Sequence, residues 1–271
     1  MLGHMSLWQY IALSVSVSFF LFFAGGGTIH WWYYIKNKDQ AERWKIQPHK
    51  WLSDRLNREA FWLAVFNLAC SSITYGAIFW GIFERGWSQL YWKFDAYSAP
   101  YAALSFFAAW LVIEAGAYYL HAIMHFKIFY KGFHSIHHRY SAPNYYTIIA
   151  MHPLEWPVHS LYVLAPAFLF PLYGPFFFFF LGLVYVLGFW DHCGIKLFRI
   201  PIHGGNKFHD DHHKYFHVNF GFTVPWFDML HKTIRREGRH YTELTFGGNK
   251  GKLKAPKNGE VPANWDQAVK Y

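Results

Sequence analysis

The chain has 271 residues, of which 54% are hydrophobic, 23% aromatic and only 15% charged. That composition excludes an ordinary soluble domain, because charge-free runs of about eighteen or more apolar residues read as membrane spans. The formal charge of +9 fits loops beside such spans, where Lys and Arg collect on the cytoplasmic side, better than a nucleic-acid surface.

Residues 1–35 carry no Asp, Glu, Lys or Arg, and the run from Leu7 to about Ala24 is long enough for a first span. It lacks a basic n-region, so no cleavable signal peptide is expected. Gly25, Gly26 and Gly27 are expected to end it, with Trp31, Trp32, Tyr33 and Tyr34 forming an aromatic belt at one interface. From Lys36 to Glu59 there are seven Lys/Arg against four Asp/Glu, with Pro48 as a breaker; this reads as a cytoplasmic loop. Ala60 to Phe83 gives a second span, Glu84 to Asp95 a short connection, and Ala96 to about Leu120 a third span. Cys70 and Cys193, the two cysteines, make no CxxC pair and no disulfide framework.

The third span contains Glu114, two helical turns before His121. A carboxylate inside an apolar helix is costly and tends to be functional. It either orients a ligand histidine through the second ring nitrogen, or snorkels or pairs with a neighbouring helix. Trp156 to Trp190 is charge-free over 35 residues, too long for one crossing at ~1.5 Å per residue. The turn signal Pro171-Leu172-Tyr173-Gly174-Pro175 divides it into a helical hairpin. The expected topology is five crossings with an outside N-terminus, a cytoplasmic C-terminus and a loosely packed polar tail from Gly247. The expected fold is an all-α membrane helical bundle with a cytoplasmic di-metal site. Its divisions are membrane-anchoring helices and a basic loop in 1–110, a catalytic region in 111–240 and a polar C-terminal tail in 241–271.

The chemistry lies in the histidines, 13 of whose 18 fall between His121 and His217. His121 and His125 are spaced i,i+4; His134, His137 and His138, and then His209, His212 and His213, are spaced i,i+3,i+4. On a helix each set shares one face, and neutral imidazole is the commonest metal ligand. With His192 the set is too large for one ion, since a tetrahedral site takes three or four protein ligands. Two metals sharing it is the simplest reading. A zincin-type protease is disfavoured because Ala122, not Glu, follows His121. Imidazole suits Fe, Cu, Zn and Ni alike, but a site at a membrane edge reaches alkyl chains or sterols. Oxidising their C–H bonds calls for a metal with O2, which favours iron.

The three boxes, together with AMHPLE (His152 to Glu155), DHCG, GGNKFHDDHH and NFGFTVPWFDMLHKT, resemble the fatty acid hydroxylase and sterol desaturase superfamily of membrane di-iron oxygenases. The wording is most similar to sterol C4-methyl oxidases, with sterol C5-desaturases nearby. The resemblance implies a non-haem centre of two Fe ions held by the eight box histidines and His192. It implies O2 as co-substrate, and hydroxylation or desaturation of a sterol or related lipid. Electrons would come from NAD(P)H through a separate carrier, such as cytochrome b5 or ferredoxin with its reductase. It also makes Glu155, Asp191, Asp210 and Asp211 candidates for fixing ring tautomers, although adjacent Asp210 and Asp211 cannot both face inward. His152 is either a further ligand or an outer partner; His159, His203 and His217 are taken as structural. A fatty-acyl or alkyl-lipid hydroxylase of the same superfamily is the alternative. From other classes come a His-rich metal transporter and a bis-His haem protein. The location would be the endoplasmic reticulum in a eukaryote or the inner membrane in a bacterium.

Overall fold

The computed structural model describes residues 4–196 and 203–236; the expected tail in 241–271 lies outside the described residues. Four helices are long and apolar enough to cross a membrane: α1 Leu7–Lys36, α2 Asp54–Arg85, α3 Ala99–Met124 and, later in the chain, Gly174–His192. Local chemistry sets their ends. Ser6 caps α1 in a reciprocal capping box with Gln9, Ser53 caps α2 through Leu56 N, and Ser98 caps α3 just ahead of a proline in its first turn. Gly86, at φ 65°, ends α2 in the left-handed conformation that glycine adopts without steric penalty.

The chain weaves between two ends of the bundle. At one end Glu84 accepts hydrogen bonds from Met5 N (3.0 Å) and Tyr10 Oη (3.2 Å). There too a two-residue parallel ladder pairs β1 (Leu90–Tyr91) with β2 (Leu172–Tyr173). At the other end lie the C-terminus of α3, a helical turn α4 (Ser135–His138), the N-terminus of α5 (Trp156–Leu164), the C-terminus of α6 (Gly174–His192), α7 (Asn206–Tyr215) and α8 (Trp226–His231). The apolar centre between them packs Ala109 and Ile113 of α3 against Leu164, Ala167, Phe177 and Phe180. Outward-facing Leu104, Phe107, Leu111 and Phe179 are exposed, as a lipid-facing surface requires. The chain is an all-α membrane bundle, and the run Phe176 to Phe180 divides between buried packing (Phe177, Phe180) and exposed, lipid-facing rings (Phe178, Phe179).

Three local expectations change. Gly25, Gly26 and Gly27 do not end the first span, which runs on as helix to Lys36 with two π-helical stretches, Leu21–Gly26 and Trp31–Lys36. A Cβ at Gly26 would overlap the Tyr145 ring, so that glycine serves close packing. The belt is also divided: Trp31 and Trp32 are exposed, whereas Tyr34 Oη donates to Cys193 O (2.8 Å) and Pro143 O (3.1 Å). Finally, the five regular crossings become four full-length helices and one broken arm. The first half of the hairpin is the nine-residue α5, a four-residue turn Pro166–Leu169 and extended Phe170. Pro166 lacks the N–H needed to continue the α5 ladder, and the extended residues complete the path to β2. The return through α6 stands. The division expected near residue 110 falls within α3.

Candidate metal centre

The C-terminal end of α3 carries His121 as its last-turn histidine and His125 as its C-cap. The second box sits where a π-helical turn, Tyr130–His134, passes into α4. The third occupies α7, a short helix with buried His209, His212 and His213. α6 delivers His192. Their ring nitrogens converge in two groups. His121, His125, His134, His138 and His212 form one; His137, His192, His209 and His213 form the other; within each group one ligand atom per residue lies within 4.8 Å of all the rest. The groups do not follow the boxes. The second box splits His134 and His138 from His137, and the third splits His212 from His209 and His213: the i,i+4 partners stay on one face, while the i+3 residue, next to one of them in sequence, is turned toward the other group.

In the five-histidine group, Nε2 of His134 lies 2.9 Å from that of His125 and 3.0 Å from that of His138, which is 3.0 Å from that of His212. In the four-histidine group, Nε2 of His192 lies 3.3 Å from that of His137 and 3.0 Å from that of His209, which is 3.2 Å from that of His213. The opposite ring atoms decide what these contacts mean. Nδ1–H donates to Phe220 O from His121 (3.2 Å), to Val218 O from His212 (2.6 Å), to Ala150 O from His137 (3.3 Å) and to Gly188 O from His192 (2.8 Å). His134 Nδ1 donates to the Glu155 carboxylate at 2.6 Å. A neutral imidazole with its proton on Nδ1 presents a lone pair at Nε2. Converging lone pairs repel unless a cation lies among them, so the donor set of each group fits a metal ion.

Burial reinforces this. It holds His125, His137, His138, His209 and His213 well below the usual histidine range and brings His212 to about 3, so all stay neutral. Burial alone would raise the Glu155 carboxyl, but its histidine neighbours, His134 foremost, hold it well below the usual carboxylate range. Aromatic rings shield the five-histidine group: Phe220 lies 5.1 Å from His125 and 5.5 Å from His212, and Phe216 lies 5.1 Å from His138. Phe216 is held there by an unusual backbone with φ 67°, closed by a hydrogen bond from His217 N to Tyr215 O.

The expected carboxylates divide. Glu155 orients His134, but Asp191 pairs with His203 (3.5 Å). Asp210 accepts from Gln47 Nε2 (2.8 Å) and, through burial, is pushed up to about 6. Asp211 pairs with Lys207 (2.8 Å) and Arg235 (3.4 Å) at the surface. Adjacent residues on α7 face different ways, so only the orientation of the helix could assign them. His152 belongs to neither group; its Nδ1 accepts from Leu154 N (3.1 Å) and its ring packs on Phe133. His159 lies between Glu155 (3.6 Å) and the Tyr162 hydroxyl (3.2 Å).

Glu114 touches no box histidine. Fully buried, it accepts hydrogen bonds from the Thr223 hydroxyl and from Thr223 N (3.1 Å) and Val224 N (3.3 Å). Its lone pairs are taken by a loop that the linear sequence leaves 109 residues away. Three further polar residues, two of them inside the motif NFGFTVPWFDMLHKT, are given no role of their own by the sequence. Asp228 accepts from Phe220 N (2.9 Å), Gly221 N (2.7 Å) and Thr233 Oγ1 (2.7 Å). Asn219, at φ 56°, donates to Phe208 O (2.9 Å) and accepts from Arg235 N (2.8 Å). Asn67, buried in α2, donates to Ile149 O and Met151 O, both at 2.8 Å. The signal available for Asn67 was an amide inside an apolar span.

Residues 106–233 match the family model described as fatty acid hydroxylase. A Delta(7)-sterol 5(6)-desaturase of Aspergillus fumigatus is 31% identical over 155 residues, 56% of this chain and 44% of its own. Sphinganine C4-monooxygenase 2 of Arabidopsis thaliana is 34% identical over 140 residues, 49% of this chain and 53% of its own. Methylsterol monooxygenase 1 of Danio rerio is 26% identical over 207 residues, 74% of this chain and 70% of its own. The aligned part spans about half the length of most of these curated relatives. No solved structure matches the chain significantly. The stretch that matches the fatty acid hydroxylase model, residues 106–233, carries all three histidine boxes and His192.

Proposed function

We propose that the protein is a membrane-bound, O2-dependent di-iron oxygenase that hydroxylates or desaturates a sterol or related lipid. The observation that carries this is the pair of buried imidazole groups, five and four strong, at the edge of an apolar bundle. His121, His125, His134, His138 and His212 would hold one iron, and His137, His192, His209 and His213 the other. When bound, iron with O2 supplies the oxidising power for C–H bonds that side-chain acid–base chemistry lacks.

The chain's own residues prepare that site. Backbone carbonyls and Glu155 fix the Nδ1 protons of His121, His134, His137, His192 and His212, so that their Nε2 atoms are free to ligate. Phe216 and Phe220 exclude water from one side, which protects a reactive centre from wasteful side reactions. The lipid-facing helices bring an alkyl or ring substrate to the same edge. Residues 1–110 would serve chiefly as membrane anchor and 111–240 as the catalytic region.

Electrons would come from NAD(P)H through a separate carrier, cytochrome b5 or a ferredoxin with its reductase. The histidine end would face the cytoplasm, of the endoplasmic reticulum or of a bacterial inner membrane. Lys36, Lys38, Lys127, Lys131, Lys207 and Lys214 belong to that end, in keeping with the positive-inside tendency. Similarity to a sphinganine C4-monooxygenase favours a second reading, hydroxylation of a long-chain alkyl lipid. Membrane metal transport fits less well, because the ligating groups gather at one end of the bundle.

Metal analysis of the purified chain tests the centre: about two irons without haem absorbance is expected, and a haem spectrum or no iron would overturn it. Lipid profiling of cells with and without the protein separates the two substrate readings by whether a sterol or a long-chain base changes. Cysteines placed at exposed Lys38 and Lys232 should label from the cytoplasmic side and one at Asp95 should not; labelling of all three from one side would reject the orientation.

A further inference from the structure

We infer that the two imidazole groups are positioned independently, the four-histidine group by Asn67 of α2 and the five-histidine group by Asp228 of α8 together with Glu114 of α3. The inference rests on the two-metal reading above and adds residues that bind no metal themselves.

The first line of support begins at His137. Its Nδ1 is anchored by Ala150 O (3.3 Å), a carbonyl in an irregular turn where Met151 N donates to Ile149 O (3.0 Å). Asn67 Nδ2 grips the carbonyls on both sides of that residue, Ile149 O and Met151 O, each at 2.8 Å. One amide group thereby fixes the peptide planes that aim Ala150 O. Asn67 and Ala150 are both fully buried, so water does not substitute. In an apolar span, a buried amide with both N–H bonds committed to one turn is a positioning device.

The second line begins at His121 and His212. Their anchors, Phe220 O and Val218 O, belong to one loop. Asp228 binds the N–H groups of Phe220 and Gly221 (2.9 and 2.7 Å), and Glu114 binds those of Thr223 and Val224 (3.1 and 3.3 Å). Two buried carboxylates thus hold the loop at its middle and its end, while Asn219 N donates to Thr233 O at its start (3.0 Å). A carboxylate accepting several N–H bonds is strongly directional, so the carbonyls between them have little freedom. Each group therefore takes its aim from a different part of the bundle.

The test uses the full chain in detergent micelles, stripped of metal and titrated with cobalt(II). Two binding phases are expected in the parent. His192→Ala identifies the four-histidine phase and His121→Ala the five-histidine phase. Asn67→Leu should weaken the His192-dependent phase about 10- to 100-fold and leave the other within about twofold, the range seen when the partner of a metal-bound histidine is removed. Asp228→Asn should do the reverse. A parent without two phases would sink the two-metal reading itself. Two parental phases that Asn67→Leu weakens equally, or not at all, would overturn independent positioning while leaving that reading in place. Should Asn67→Leu not fold, Asn67→Asp, nearly isosteric and lacking the amide donors, carries the same test.

Discussion

The two histidine groups are built from the same boxes yet differ in support. The group of five draws on all three boxes, has Glu155 as an anionic partner for His134, and is covered by Phe216 and Phe220. The group of four takes one histidine from the second box, two from the third and His192 from α6. Its described Nδ1 anchors are carbonyls, Ala150 O and Gly188 O. A carboxylate partner raises the basicity of an imidazole more than a neutral carbonyl does. The five-histidine group should therefore hold its ion more tightly, and the group with fewer donors should leave more room for an exchangeable ligand. Two ions with unlike surroundings can divide binding and chemistry between them.

The largest expected effect comes from removing one donor on each side. His137→Ala and His212→Ala should each abolish turnover and lower iron content by at least one ion per chain, with membrane insertion unchanged by fractionation. Equal, full activity in either variant would remove that histidine from the centre. If the two variants lose different ions, distinguishable by their spectra, the comparison sharpens into an assignment.

Glu155→Gln comes next. It leaves the shape of the partner but removes the charge opposite His134, and should cost about 10- to 100-fold in iron affinity. The loss should fall on the five-histidine group. An equal loss from both groups, measured by metal titration, would break the proposed difference in support.

Glu114→Gln should do less. It keeps one oxygen acceptor for the Thr223 bonds but sets an amide against Val224 N, so about tenfold slower turnover with iron retained is expected. Glu114→Leu should lose more, because two backbone N–H groups are left buried without acceptors. Parental iron content and rate in Glu114→Leu would reduce the residue to packing. The smallest effect belongs to His152→Ala, whose ring caps a local turn outside both groups: turnover should stay within about twofold and stability within about 0.5 kcal/mol, as for other substitutions away from a site. A loss of one iron would bring His152 back as a ligand.

Sequence alone determined the parts governed by short-range periodicity. Charge-free length marked the spans, i,i+3,i+4 spacing marked the boxes, and the proline–glycine turn at 171–175 brought His192 back to the histidine end. The extent of the first span did not follow from Gly25 to Gly27, since glycine is tolerated within a helix where another part of the same chain, here the Tyr145 ring against Gly26, packs closely. Tertiary structure decided which histidines share a group, because that depends on how α6 and α7 rotate against α3. It also separated Asp210 from Asp211, took Glu114 away from the histidines, and gave Asn67 its turn to hold. Those pairings join residues as far apart as 163 positions, Gln47 with Asp210. A hydrogen bond is short and directional, and no local pattern in the chain encodes a partner that only folding brings within 3 Å.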